Sequence, residues 1–238
     1  MIPLKDDVPS RTTPFVTMML IALNAVVFVY QMSLALESEA GAAGAAEAFV
    51  MEFGAVPCRL TGACTVPGQF PSPLVTVFTS MFMHGGLLHA GGNMLYLWIF
   101  GNNVEDTLGH GRFLVFYLLS GVAAAVAQTV MNPHSAIPMI GASGAVSGVL
   151  GAYLLLFPYA TILTLVTFGF FFRFIHIPAV VVLGFWIVLQ LISGYLTASA
   201  AALGRGEGGG VAWFAHIGGF LAGMLLLFVM RPRQSVRP

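Results

Sequence analysis

Residues 141–157 read GASGAVSGVLGAYLLLF, a run apolar enough to lie in a bilayer yet too short to cross one. As a helix over residues 143–157 it rises only about 22 Å at ~1.5 Å per residue, against a hydrocarbon core of about 30 Å. Such a helix starts about 8 Å below one surface, with Ser143 at its mouth. The preceding stretch, NPHSAIPMIGA at residues 132–142, then has to enter the membrane as irregular backbone. That is tolerated only where the backbone is buried in protein or lines a wet cavity, and a water-filled pocket is also what hydrolysis requires.

Composition supports a membrane setting. Apolar residues make up 58% of the 238 positions and charged residues 8%, where a soluble domain carries about 25% charged. Nine basic and nine acidic residues give no net charge, which excludes a charge-driven nucleic-acid partner. Apolar segments fall at residues 14–34, 81–100, 113–131, 143–157, 179–196 and 211–230, most of them near the ~20 residues needed to cross. The chain thus reads as an all-α polytopic membrane protein with six spans and a short central fourth helix, without internal repeat or separate soluble domain. The first segment follows a polar start and lacks an A-x-A-like cleavage site, so it is expected to be a retained helix.

Residues 161–177, TILTLVTFGFFFRFIHI, are apolar enough for a seventh span, and charge argues against it. With six spans and a cytoplasmic N-terminus, Lys5, Arg11, Arg112, Arg173, Arg231, Arg233 and Arg237 lie inside and only Arg59 and Arg205 outside, as the positive-inside rule requires. The stretch is expected to be an interfacial loop. Residues 1–13 and 231–238 then read as cytoplasmic tails flanking a membrane domain at 14–230. The long first external loop, 35–80, is expected to carry an interfacial helix around Phe49 and Phe53. Its Cys58 and Cys64 pair only in an oxidising compartment and are otherwise two free thiols.

Polar groups inside spans are costly and are functional candidates. Residues 84–98, HGGLLHAGGNMLYLW, supply His84, His89 and Asn93, and residues 215–223, AHIGGFLAG, supply His216. His89 and Asn93 share one helical face. His216 lies about 8 Å down the last segment, so these groups and Ser143 fall at similar depth on one side. His216, Gly219 and Gly223 share a face of the sixth helix, while Gly144, Gly148 and Ala152 form a small-residue row on the fourth. Such rows let membrane helices approach closely, bringing His216 to Ser143. At a helix N-terminus, with backbone N–H groups and the His89 and Asn93 side chains nearby, Ser143 has the parts of an oxyanion hole. His216 would be its general base. All nine acidic residues fall outside the spans, so the reading is a Ser-His dyad. Gly218 and Gly219 read as packing residues.

The set G-A-S-G at 141–144, A-H-I-G-G with Gly223 after it, and H-G-G-L-L-H-A-G-G-N at 84–93 resembles the signature of the rhomboid intramembrane serine proteases. The tract GNNVEDTLGHGRFLVFYLLSG at 101–121 is similar to that family too. The resemblance covers about residues 75–230, with motifs in the expected order, and implies a six-helix rhomboid-like bundle. It implies that Ser143 is the nucleophile, that His216 is its base, and that His89, Asn93 and the Ser143 amide hold the oxyanion. His84, Gly141, Gly144, Gly219 and Gly223 would be structural, with His84 tying the first loop to the core. The implied substrates are single-span membrane proteins cut at helix-destabilising, small-residue sites, with membrane lipid as the surroundings and no cofactor. The expected location is a bacterial inner (plasma) membrane, with both termini cytoplasmic and the site opening outward. Four positions after the serine, where several members carry an aromatic residue, this chain has Ser147, and the Trp-Arg pair of many first loops is missing.

Other classes fit less well. A metal site from His84, His89 and His216 lacks a cysteine or carboxylate, and five residues part the first two around a helix. A non-cleaving relative would lack the serine or the histidine. A channel or transporter calls for polar groups at the midplane. The Gly/Ala-rich loop 197–210 is expected to be a mobile cap over the pocket.

Overall fold

The computed structural model describes residues 1–39, 44–64, 71–168, 171–203 and 211–232. After a strand β1 (Ile2–Asp6) come helix α1 (Phe15–Glu39) and two short helices, α2 (Ala45–Phe53) and α3 (Pro57–Thr61). Helix α4 (Pro73–Thr79) ends in a tight turn at Ser80–Phe82. A continuous helical run then passes from α5 (Leu87–Tyr96) through a widened π turn at Leu97–Gly101 into α6 (Asn102–Leu108). Helices α7 (His110–Met131) and α8 (Ser143–Leu156) follow, then strands β2 (Thr161–Phe168) and β3 (Phe171–Pro178), and finally α9 (Ala179–Ala202) and α10 (Trp213–Met230). Among the described residues, four helices are long and apolar enough to cross a membrane: those at Phe15–Leu36, His110–Met131, Ala179–Ala202 and Trp213–Met230. The chain is a polytopic, predominantly helical membrane protein.

Packing centres on α7, α8 and α10. All of Gly144–Tyr153 in α8 is buried, so this helix is surrounded by protein. Its glycines are there for approach. A Cβ built on Gly219 would overlap the carbonyl of Gly144, one on Gly223 would overlap the backbone of Gly148, and one on Gly144 would come within 2.6 Å of the Ala124 Cβ. Larger aromatic residues, Phe100, Phe113, Phe116, Tyr117 and Tyr153, fill the core towards the other end of α8.

Three expectations are corrected. The 161–177 stretch is neither span nor loop. It is a β-hairpin whose first strand also pairs antiparallel with β1, placing Ile2 opposite Leu165 and Asp6 opposite Ile162. Threonine, valine, isoleucine and phenylalanine dominate it, and such residues favour a pleated surface. Residues 1–13, expected as a tail, are consequently built into the fold, and the chain is not purely α-helical. The Asp6 carboxylate accepts from Tyr153 Oη at 2.6 Å, and Asp7 accepts from the Thr161 N–H at 2.8 Å. Glu105, fully buried, accepts from the backbone of Val16 and Thr17 at 2.9 and 2.7 Å and from the Thr17 hydroxyl at 2.7 Å. Those two N–H groups open α1 and have no partner within it, so Glu105 caps the helix from another part of the chain. Asp106 accepts from the Arg11 N–H and from the Thr12 N–H and hydroxyl, in the segment just before that helix. Burial alone would raise the Asp106 carboxyl, and these bonds with the Arg11 charge outweigh it, holding the group below the usual carboxylate range.

The third correction concerns 197–210. Residues up to Ala202 continue α9, as an alanine-rich run with high helix propensity does. Residues 204–210, with Arg205 and Glu207, lie outside the described residues, as do Arg233 and Arg237.

The α8–α10 contact makes a direct prediction. Gly223→Ala is expected to lower the unfolding temperature in detergent by the equivalent of about 1–3 kcal/mol, because backbone cannot move aside as a side chain can. Gly111→Ala, whose Cβ meets nothing within 4 Å, should stay within about 1 kcal/mol of wild type. Equal unfolding temperatures for the two variants would contradict this packing.

Candidate active site

Helix α8 begins at Ser143, and its first N–H groups lack intrahelical partners. Because Gly219 and Gly223 let α10 lie against α8, His216 comes level with the start of α8. Its Nε2 is 2.8 Å from Ser143 Oγ. Both side chains are partly exposed and line a cavity of about 580 Å³, together with His89, Asn93, Tyr96, Ser147 and Trp186. Polar groups gathered on a cavity wall at a helix N-terminus suit attack on a carbonyl and stabilisation of the oxyanion that results.

Which neighbouring side chains have a donor to offer follows from their hydrogen-bond partners. His89 Nδ1 accepts the Gly85 N–H at 3.3 Å, which leaves the ring proton on Nε2. That nitrogen lies beside Gly141. Gly141 has φ +129°, and a Cβ there would fall 2.8 Å from His89 Nε2 and 3.5 Å from Ser143 Oγ. A side chain at 141 would therefore be strained and would also displace His89, so glycine is required twice over. Asn93 is buried, and its Nδ2 is a donor with no partner among the described residues. An unsatisfied buried amide is costly, and on this wall a substrate oxygen would relieve it.

His84 is buried as well. Its Nε2 accepts the Ala142 N–H at 3.4 Å, its own N–H donates to Gln31 Oε1 at 2.9 Å, and its ring meets that of His89 edge-on with centroids 5.1 Å apart. It therefore ties the residue before Ser143 to α1. The irregular stretch 132–142 is held by the first loop: Ala55 and Met139 exchange backbone bonds of 3.1 and 2.8 Å, Cys58 N–H donates to Ser135 O at 3.0 Å, and Thr61 Oγ1 donates to Pro133 O at 2.8 Å. Cys58 and Cys64 form a disulfide within that loop. Among the described residues, no group of three or more histidines, cysteines and carboxylates is arranged to hold a metal.

The sequence reading missed Gln190. This buried α9 residue places Oε1 2.8 Å from His216 Nδ1. Its signal in the sequence is an amide in the otherwise apolar run 179–192. Ser147 turns back to donate to the Ser143 carbonyl at 2.5 Å, so it does not pack on His216. The aromatic neighbours of that ring are Trp186 and Trp213, with centroids at 5.9 and 6.3 Å.

Comparison with known proteins bears on the same region. A family model described as the Rhomboid domain matches residues 71–233. Rhomboid protease GluP of Bacillus subtilis is 42% identical over 33% of this chain and 15% of its own length. Rhomboid protein 1, mitochondrial, of Saccharomyces cerevisiae is 32% identical over 63% of this chain and 40% of its own. RHOMBOID-like protein 1 of Arabidopsis thaliana is 33% identical over 67% and 36%. The chain thus spans less than half the length of each of these relatives.

If Asn93 Nδ2 binds a developing oxyanion, Asn93→Ala should lower turnover by up to about 10²–10³ and leave KM within about twofold. Steady-state kinetics checks this. A rise in KM with kcat unchanged would assign Asn93 to ground-state binding instead.

Proposed function

This chain belongs to the rhomboid family, and from that membership and the contact between Ser143 and His216 we propose that it is a serine endopeptidase cutting peptide bonds within or near the transmembrane segments of other membrane proteins. The family is generally one of intramembrane serine proteases. It also has inactive members, and Inactive rhomboid protein 1 of Drosophila melanogaster is 30% identical to this chain over 88 residues. The observation that carries the active reading is the 2.8 Å approach of His216 Nε2 to Ser143 Oγ at a cavity wall.

In the proposed reaction Ser143 Oγ attacks the scissile carbonyl carbon as His216 Nε2 takes its proton. The oxyanion is held by the Ser143 N–H, His89 Nε2–H and Asn93 Nδ2–H. His216 then gives the proton to the leaving amine, and the C–N bond breaks to leave an acyl-enzyme. A water entering through the cavity gives its proton to the same nitrogen and attacks the ester carbonyl; the C–Oγ bond breaks as His216 returns that proton to Ser143 Oγ, and the new carboxyl end leaves. Substrates are single-span membrane proteins, with cleavage favoured where small or helix-destabilising residues let the segment unwind into the site.

The proposed topology has six crossings: α1, the run from α5 through the π turn, α7, α8, α9 and α10. Both termini are cytoplasmic, and the site faces outward across a bacterial inner membrane. Two observations support it. Pairing of β1 with β2 puts the N-terminal strand beside the α8–α9 connection, so an even number of crossings must separate them. The basic residues Lys5, Arg11, Arg112, Arg173 and Arg231 then share the inner side.

The proposal is tested by co-reconstituting the protein in liposomes with a tagged single-span substrate. Wild type should release two fragments, and folded Ser143→Ala and His216→Ala variants should leave the substrate intact. Cleavage by the Ser143→Ala variant at the wild-type rate would overturn it.

A further inference from the structure

The proposed reaction needs one tautomer of His216. Nε2 must be bare to accept the Ser143 proton, so the ring hydrogen must sit on Nδ1. No carboxylate meets that nitrogen among the described residues, but Gln190 Oε1 lies 2.8 Å away. Which amide atom faces the ring is settled by the other end of the group. Gln190 Nε2 donates to the Trp186 carbonyl at 3.2 Å, one helical turn back on α9. With its N–H₂ engaged there, the amide offers His216 only an acceptor, and an acceptor bonds only Nδ1–H.

We propose that Gln190 is a neutral positioning residue of this site, holding His216 in the tautomer whose Nε2 receives the serine proton. The proposal rests on the protease reading of Ser143 and His216. The chain of contacts runs from Trp186 O through the Gln190 amide and the His216 imidazole to Ser143 Oγ, with bonds of 3.2, 2.8 and 2.8 Å. It supplies the orientation that a third group provides in a serine-hydrolase triad, without a charge. A carboxylate at this depth would be costly to ionise, whereas an amide keeps its hydrogen-bond geometry in an apolar setting. Gln190 is buried, and α10 presses Trp213 and Ile217 against Gly194 on the same helix, so α9 is held where the amide can reach. The same arrangement accounts for Ser147. The ring that an aromatic residue at that position would brace is held instead from α9, by a hydrogen bond on one edge and Trp186 beside it. The titratable groups sharing the cavity wall with His216 are His89 and Tyr96.

The test joins a tautomer measurement to kinetics on the full chain. In ¹⁵N-histidine NMR spectra, assigned with a His216→Asn variant, wild type should show His216 protonated at Nδ1 and bare at Nε2. Gln190→Met, close in size but without an acceptor, should give a mixture of tautomers. Its kcat should fall about 10–100-fold with KM within about twofold. Gln190→Glu restores an acceptor and should recover most of the rate. Its acidic limb should also move to higher pH, because an ionised carboxylate favours the imidazolium, and a merely structural role would leave that limb in place. A tautomer unchanged in folded Gln190→Met, or kcat within twofold of wild type, overturns the proposal. A protein with the expected tautomer whose Ser143→Ala variant cleaves at the wild-type rate overturns the protease reading while the Gln190 bond itself stands.

Discussion

Where α8 and α10 touch, Gly144 O lies against Gly219 and the Gly148 backbone against Gly223, so the two helices meet main chain to main chain. In lipid there is no hydrophobic drive to push helices together, and close packing of small residues takes its place. That contact sets the distance between a serine at the head of one helix and a histidine one turn from Gly219 on the other. A hydrogen bond tolerates only a few tenths of an ångström. Any side chain between the helices would part them by more than that, and the Ser143–His216 bond would be lost before either residue had been changed.

The two ends of α8 have opposite characters. Tyr153, about 15 Å along the helix from Ser143, bonds Asp6, and around it Glu105, Asp106 and Asp7 tie β1, the start of α1 and the β2–β3 hairpin into a polar cluster. At the Ser143 end the backbone is irregular, the cavity is open, and Asn93 Nδ2 has no partner among the described residues. Asp6, Asp7, Glu105 and Asp106 sit at the Tyr153 end, and it is an amide on α9 that meets His216.

Much of this was legible in the chain because membrane sequences state their constraints openly. The shortness of 143–157 placed Ser143 at a helix mouth, and the small-residue rows predicted which helices approach. Polar groups in apolar runs singled out His84, His89, Asn93 and His216. What was not legible depends on partners remote in sequence. The hairpin at 161–178 has the composition of an apolar span or an interfacial loop, and only pairing with Ile2–Asp6 gives it a sheet to join. Residues 1–13 look like a polar tail until Ile2–Asp6 is seen to pair with β2 and Asp106 to accept from Arg11 and Thr12. Gln190 carries no charge and belongs to no motif, and its place beside His216 follows from how α9 packs on α10.

The central claim is that Ser143 is made nucleophilic by His216 inside a membrane-embedded cavity. The most direct measurement is peptide mapping by mass spectrometry of the folded protein, reconstituted in liposomes and treated with a fluorophosphonate. The account predicts one adduct, on Ser143, that disappears in His216→Ala while other serines stay unmodified. A folded protein that takes up no label, or takes it on a different serine, would contradict it.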